Sequence, residues 1–345
     1  MRSTRDLTSD GALRLVLDRP LVPLAERWVP AEPGGATSHR ATGAVIDVRC
    51  SARAAPRPRS APTLSVGTVC AWVDERHGVV RLRGALASSS GAVSLASRVA
   101  RLCADPASGD EAASDLYSML TISAALLVAG IGRALLHAAA VVSPAGAAWL
   151  LVGDARSGKS TTCANLARAG WGCLSDDQTV LAATEQGIVV EGWLRPFHLD
   201  EGWERGEVCG RRRTIHPAAL GIGGQRRVAP LAGILLPVVA PERPTSLAPV
   251  SAGQALAELV RQSPWLLAHR AVAAAGITVL SRAAQTPAFA LTLGLDTYGD
   301  PARLRALVTT AGSGLPPVSR DSVPGRPLEP RAAARREVAW LATTP

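Results

Sequence analysis

The residues with the clearest chemical meaning surround the only lysine of the chain. Residues 153–160 read G-D-A-R-S-G-K-S and match the phosphate-binding pattern G-x-x-x-x-G-K-[ST], with Lys159 and Ser160 at its last two positions. Every other residue among the 37 lysines and arginines is an arginine. A compact ammonium suits a wrapped phosphate better than the wide, planar guanidinium does. The segment therefore predicts a site for a nucleoside triphosphate.

Each part of this segment has an expected role. Backbone N–H groups of 155–160 can surround a β-phosphate at the positive end of the following helix. Lys159 would bridge the β- and γ-phosphates, and the Ser160 hydroxyl would bind Mg²⁺. The alternative is a decayed motif in a structural domain. The predicted nucleotide-binding residues are Gly153, Asp154, Ala155, Arg156, Ser157, Gly158, Lys159, Ser160 and Thr161.

Two adjacent carboxylates follow at a suitable distance. Asp176 and Asp177 come 17 and 18 residues after Lys159, one predicted helix and one predicted strand later. We expect both at the carboxyl end of a neighbouring parallel strand, where open α/β sheets build their ligand sites. One could hold Mg²⁺, directly or through water, while the other accepts a proton from an incoming hydroxyl. The alternative is a solvated turn at a strand end.

Three further residues are candidates for chemistry. Arg211 and Arg213 lie in a polar loop, where they could stabilise charge on a γ-phosphoryl group or form a solvated basic surface. His137 lies in an apolar predicted strand, and its default interpretation is a buried structural histidine. His198 is expected to be structural or to line a substrate entrance.

The composition limits the class of protein. With 47% hydrophobic and 19% charged residues, the chain is expected to fold into a globular protein. The net charge of +9 comes with only 3% aromatic residues and no nucleic-acid-binding motif, so phosphate is the simpler partner for the arginine clusters. Six scattered cysteines without a C-x-x-C pair indicate reduced thiols. We find no signal peptide, and the longest apolar stretch, Met119–Ile131, is too short to cross a bilayer. A cytoplasmic protein without nucleic-acid or membrane partners is therefore expected.

The order of the predicted elements suggests three regions. Short apolar runs separated by turn residues predict a small β-rich domain over 1–110. Residues 111–313 alternate helical and strand patterns and contain all the candidate site residues. Residues 314–345 are rich in Pro, Gly, Ser and Arg, so a flexible tail is expected. Within the middle region, a buried strand over 147–152 and a helix over 159–169 flank the glycine-rich segment.

These residues together resemble the HPr kinase/phosphorylase family, whose nucleotide-binding core is similar to that of the ATP-dependent phosphoenolpyruvate carboxykinases. The shared order is a His-bearing strand, a G-D-x-x-x-G-K-S loop, a helix ending at Gly and an (A/S)-D-D pair. The specific match covers about 45 residues, carried by Leu136–Ala138, Gly153–Asp154, Gly158–Ser160 and Leu174–Asp177. The resemblance implies an α/β phosphate-loop kinase core of that type, preceded by the β-rich domain.

Carried over by position, the resemblance implies ATP on 153–161 and Mg²⁺ near Ser160. It implies a catalytic carboxylate at Asp177 or Asp176, with His137 as a helper near the transferred phosphoryl group. We predict Asp177 as the base and Asp176 as the metal-side acid, with the exchanged assignment left open.

Two departures from the family pattern bear on the activity. The loop reads Ala155-Arg156-Ser157 where the bacterial HPr enzymes carry a second small residue and a glycine. The family's Glu-x-Arg-Gly-type loop has only 207–211 as a counterpart. The pattern is more similar to shorter HPr-kinase-related proteins, some of which accompany ribosomally made peptides.

The sequence thus predicts an ATP- and Mg²⁺-dependent kinase that phosphorylates a serine of a protein or peptide. A small-molecule kinase and a nucleotide-gated regulatory module without transfer are the alternatives. A paired carboxylate favours transfer, since binding alone needs one acid. The acceptor and the oligomeric state are left open, and a homo-oligomer is one possibility.

Overall fold

The computed structural model describes residues 2–26, 28, 43–53, 55–193, 195–205, 210–222 and 227–313. These residues form two compact units. The first contains the described residues up to Ala134 together with Pro264–Ile277, and the second contains the described residues from Leu135 to Ser263 together with those from Thr278 onward.

The first unit is built on one eight-stranded sheet. Its strand order is β1-β2-β3-β8-β7-β6-β5-β4, with parallel pairing at β2–β3 and β3–β8 and antiparallel pairing elsewhere. Buried residues alternate with partly exposed ones in β2 and along β3 up to Val48, as expected for strands with one buried face. The elements are β1 (Arg2–Asp6), β2 (Leu13–Asp18), α1 (Val22–Ala25), β3 (Ala44–Cys50), β4 (Leu64–Val66), β5 (Val69–Asp74), β6 (Val79–Gly84), β7 (Ser90–Ser94), β8 (Val99–Ala104) and α2 (Gly109–Ala129).

Helix α2 is the core helix of this unit. It lies against β3, β6 and β8. Asp110 and Glu111 lie in its first turn, where their negative charges interact favourably with the positive end of the helix dipole. The segment Pro106–Ala129 is long and apolar enough to cross a membrane, but 89% of its apolar 18-residue window is buried inside the protein. Its buried Asp115 accepts a hydrogen bond from the N–H of Ala87 at 2.8 Å, so this carboxylate stabilises a turn. Burial explains the helix's apolar composition.

The second unit contains a second eight-stranded mixed sheet and a two-stranded ribbon. The sheet order is β10-β9-β12-β13-β16-β18-β17, with β11 also paired to β9 and β16 also paired to β10, while β14 and β15 form the ribbon. The strands are β9 (Arg133–Val142), β10 (Ala148–Val152), β11 (Gly172–Ser175), β12 (Gln178–Thr184), β13 (Gly187–Gly192), β14 (Phe197–Asp200), β15 (Arg212–Ile215), β16 (Val228–Val239), β17 (Ser246–Val250) and β18 (Ala288–Leu293). The helices are α3 (Lys159–Arg168), α4 (Ala252–Arg261), α5 (Arg270–Ala283, whose first residues belong to the first unit) and α6 (Pro301–Ser313).

A hydrophobic core lies between the sheet of the second unit and helices α3 and α6. Trp149 of β10 lies at its centre, with ring centroids 6.4 Å from Trp171 and 6.2 Å from Phe289. The Sγ atoms of Cys163 and Cys173 are 3.2 Å apart in this core, and the described cysteines are free thiols. This core holds α3 against β10 and β11.

The mixed α/β architecture confirms the predicted class of fold. Strand β10 and helix α3 occupy 148–152 and 159–168, close to the predicted bounds. The first unit extends further along the chain than the predicted domain 1–110. Helix α2 packs on the first sheet, whereas the sequence placed it in the region that begins at residue 111. The predicted tail, 314–345, lies outside the described residues.

Candidate functional site

A tight loop of residues 153–158, here named the glycine loop, connects β10 to α3. Strand β10 is fully buried, which fixes where the loop starts. Gly158 begins the helix with φ +100°, in the left-handed region that favours glycine. A Cβ atom on Gly158 would lie 2.6 Å from Cδ1 of Leu293 and 3.2 Å from Cγ2 of Val239. At its other end, α3 stops at Arg168, and Gly170 follows the capping residue Ala169 with φ +89°, which agrees with the predicted glycine at the helix end.

Lys159 lies inside the glycine loop. Its side chain is buried, and Nζ donates hydrogen bonds to the carbonyl oxygens of Gly153 at 2.7 Å and Asp154 at 2.8 Å. Burial lowers the pKa of Lys159, while Asp177, Asp176 and Asp154 act in the opposite direction. The loop thus encloses a cation at the positive end of α3, an arrangement suited to binding an anion.

Arg156 has a backbone conformation unusual for its type. Its φ is +67°, in the left-handed region that costs a non-glycine residue on the order of 1 kcal/mol. It occupies the position at which the resembled family carries a glycine. Its side chain is exposed to solvent.

Asp176 is the buried member of the acidic pair. Its side chain lies near the hydroxyl of Ser160, and it is only 4% exposed. Burial raises its pKa to about 6, with Ser160, Arg195 and Lys159 lowering it and Asp177 raising it further. Oδ1 is buried and has no hydrogen-bond partner among the described residues. A buried, unpartnered carboxylate oxygen beside a hydroxyl fits a divalent cation.

The donor set specifies the kind of cation. Ser160 and Asp176 offer hard oxygen ligands, and the described part of the chain contains no group of three or more His, Cys, Asp or Glu able to hold a metal ion. Mg²⁺ commonly takes one or two protein oxygens and completes its shell with phosphate and water. The residues present therefore fit Mg²⁺ delivered with a nucleotide.

Asp177 has different neighbours although it is adjacent in sequence. Its Oδ2 atom lies 2.6 Å from Nη2 of Arg195, and its Oδ1 atom lies 3.5 Å from Nδ1 of His137. The hydroxyl of Ser175 accepts hydrogen bonds from the N–H groups of Asp177 at 3.3 Å and Gln178 at 3.1 Å, which fixes the turn. The Asp177 side chain keeps 16% of its surface exposed. A held carboxylate with solvent access can accept a proton.

His137 extends this group from β9. Burial lowers its pKa, Asp177 raises it, and Lys159 and Arg195 lower it again. The ring is therefore neutral over most of the physiological range, and it can share a proton with Asp177.

Sheet topology explains why these residues meet, and it corrects one expectation. Strands β10 and β11 are not hydrogen-bonded neighbours, because β9 lies between them and pairs antiparallel with both. The two strands consequently run in the same direction, and their carboxyl ends reach the same edge of the sheet. Val152 pairs with Ala138, so His137, the residue before Ala138, also lies at that edge.

The two arginines predicted as site residues, Arg211 and Arg213, do not contact the glycine loop or the acidic pair through any hydrogen bond or ion pair among the described residues. Arg211 is exposed with Nε 3.6 Å from Oε2 of Glu201, and Arg213 is exposed on β15. His198 is exposed, and its Nδ1 atom is 3.4 Å from Oγ1 of Thr214. Most of the segment 207–211, the counterpart of the family's second signature, lies outside the described residues.

Arg195 is the site residue that sequence reasoning missed. It follows Asp177 by 18 residues, it belongs to no motif, and it is one arginine among many. Its side chain is 11% exposed in contact with Asp177. The sequence around Arg195 shows only that Pro196 and Phe197 lead into β14, a strand whose residues alternate between buried and more exposed positions. Nothing in that local pattern indicates a contact with Asp177.

Comparisons with known proteins give only a distant structural similarity. No protein-family model and no curated protein matches the chain. A solved structure of the Hpr(Ser) kinase/phosphatase from Coxiella burnetii is similar over 51% of this chain and 95% of that chain, with 12% identity and a TM-score of 0.31. The relation is distant, so the chemistry of the site depends on the contacts described above.

Proposed function

We propose that this protein is an ATP- and Mg²⁺-dependent kinase that transfers the γ-phosphoryl group to a hydroxyl, with serine of a protein or peptide as the acceptor. The observation that carries the proposal is the meeting of three groups at one sheet edge. These are the glycine loop with its buried Lys159, the buried Asp176 near Ser160, and Asp177 held by Arg195.

The residues divide the work by their surroundings. The glycine loop and Lys159 bind the phosphates, since a helix N-terminus and an ammonium both attract them. Ser160 and Asp176 would hold Mg²⁺, which neutralises the charge of the β- and γ-oxygens when bound. Ionised Asp176 is the form that binds a cation.

Asp177 is the proposed base. Its carboxylate would orient the acceptor hydroxyl and take its proton as the bond to phosphorus forms. Arg195 fixes the carboxylate and supplies positive charge beside the transferred group, and neutral His137 completes the contact with Oδ1. Positioning and charge stabilisation together account for the expected acceleration.

The test is phosphate transfer from labelled ATP with Mg²⁺ to the proteins and peptides encoded beside this gene, read by mass spectrometry as phosphoserine. We expect Asp177→Asn to lower the transfer rate about 100-fold or more while ATP still binds. The adjacent Asp176→Asn variant should instead require a higher Mg²⁺ concentration for transfer, because it lacks the proposed metal-side carboxylate. Unimpaired transfer by Asp177→Asn would remove the base assignment, and ATP binding without transfer to any neighbour or metabolite would favour a regulatory module.

A further inference from the structure

A second polar group contacts the glycine loop from the end of α4. Nε2 of Gln262 donates a hydrogen bond to Oδ1 of Asp154 at 2.9 Å, and the guanidinium of Arg261 forms an ion pair with Oδ2. Asp154 is the second residue of the loop. Both oxygens of its carboxylate are therefore held from α4.

The same segment is attached to the strand that carries His137. The carbonyl oxygen of Gln262 accepts a hydrogen bond from the N–H of His137 at 3.0 Å, and Oγ of Ser263 donates to the carbonyl oxygen of Leu135 at 3.4 Å. Gln262 is buried, with 7% of its surface exposed. Gln262 thus contacts the glycine loop with its side chain and the His137 strand with its backbone carbonyl.

Arg261 is the positive charge of this group, which has two carboxylates. Arg261 also pairs with Glu258, one turn earlier in α4. The hydrogen bonds from Arg261 and then from Gln262 lower the pKa of Asp154, so this carboxylate is ionised at neutral pH. A free carboxylate on the loop would repel a polyphosphate, and the guanidinium offsets that repulsion.

We propose that Gln262 and Arg261 are positioning residues for the nucleotide, acting through Asp154. They hold the start of the glycine loop against the His137 strand, so that the loop does not have to be ordered when phosphate binds. This inference rests on the proposed function. A preorganised loop improves ATP affinity and leaves the rate at saturating ATP unchanged, because ground state and transition state benefit equally.

The decisive variant is Gln262→Glu, which replaces the donating amide by a carboxylate of similar shape facing Asp154. We expect ATP affinity to fall about 10-fold, by the tenfold-per-1.4 kcal/mol relation for one lost charged contact. The double variant Asp154→Asn/Gln262→Glu reverses donor and acceptor between the two positions and keeps the number of carboxylates near Arg261 at two, because Glu258 is unchanged. It should bind ATP within about threefold of wild type.

Equilibrium titration of the full chain with a fluorescent ATP analogue, competed by ATP, measures these affinities. Gln285→Glu, an exposed residue just after α5, is the control for the added charge. Arg261→Gln, at a half-exposed position, is a second variant that should weaken ATP binding without disturbing the core.

The outcomes separate the two proposals. If the wild type binds ATP and Gln262→Glu binds equally well, or if the double variant binds no better than the single one, the positioning role is refuted and the nucleotide site stands. A lower rate at saturating ATP with unchanged affinity also refutes it. A wild type that does not bind ATP refutes the proposed function, and the positioning role with it.

Discussion

At the scale of residues, Asp176 and Asp177 are adjacent but have different environments. Asp176 is buried beside Ser160 with its pKa raised to about 6, whereas Asp177 is partly exposed and pairs with Arg195. A carboxylate with a buried, unpartnered oxygen suits a metal ion, and one that faces solvent suits proton transfer. This contrast supports the assignment of Asp176 to the metal side and Asp177 to the base.

The first prediction concerns Lys159. Substitution with arginine, the residue used everywhere else in this chain, should lower ATP affinity about 100-fold and abolish transfer. The enclosed ammonium donates to two loop carbonyls at 2.7 and 2.8 Å, and a planar guanidinium cannot take that position without opening the loop. An ATP titration measures the loss, with Lys159→Met as the matched variant that lacks the charge. Wild-type affinity in Lys159→Arg would contradict the enclosed position of the ammonium.

The second prediction concerns the pH dependence of stability. The pKa of Asp176 is higher in the folded protein than its reference value of 3.8, so the folded state binds the extra proton more tightly. Its contribution to the free energy of unfolding is therefore greatest below pH 4 and falls as pH rises through about 6. The loss is on the order of 2–3 kcal/mol. Without nucleotide or Mg²⁺, Asp176→Asn should be more stable than wild type at pH 7 and equally stable at low pH.

Denaturant titrations of both proteins from pH 4 to 7.5 would measure this difference. Mg²⁺ with ATP should reduce the difference at pH 7, because the cation stabilises the ionised carboxylate. A stability difference that is constant over the whole pH range would show that Asp176 titrates normally.

At the scale of elements, the site depends on how α3 begins. Gly158→Ala places a Cβ 2.6 Å from Leu293 at a φ of +100°. We expect a loss of about 2–3 kcal/mol in the free energy of unfolding, from backbone strain and from the contact together, and weaker ATP binding. The matched control is Gly170→Ala, where φ is +89° and nothing lies within 4 Å of the added atom.

The control variant should lose only about 1 kcal/mol, from backbone strain alone, and should keep its ATP affinity. Urea titration and ATP titration measure the two effects. Equal losses in both variants would mean that the contact with Leu293 is relieved by movement of the side chain.

At the scale of the whole molecule, the described residues divide into two units whose extents follow packing. Helix α2 buries 16 of its 21 residues and packs on the first sheet, so it belongs to that unit despite preceding β9 directly in sequence. The composition of α2 alone predicted a helix but not the sheet that covers it. The predicted boundary lay where the strand patterns end and the helix pattern begins. That boundary separated α2 from the sheet on which it packs.

The sequence by itself determined the contiguous parts of the site. The glycine loop, α3 and the pair Asp176 and Asp177 can be read from local patterns, because neighbouring residues specify local backbone and chemical type. Tertiary structure decided the rest: β9 lies between β10 and β11, Arg195 pairs with Asp177, and Gln262 contacts Asp154. Such contacts depend on the order and register of strands distant in sequence, which no local pattern encodes.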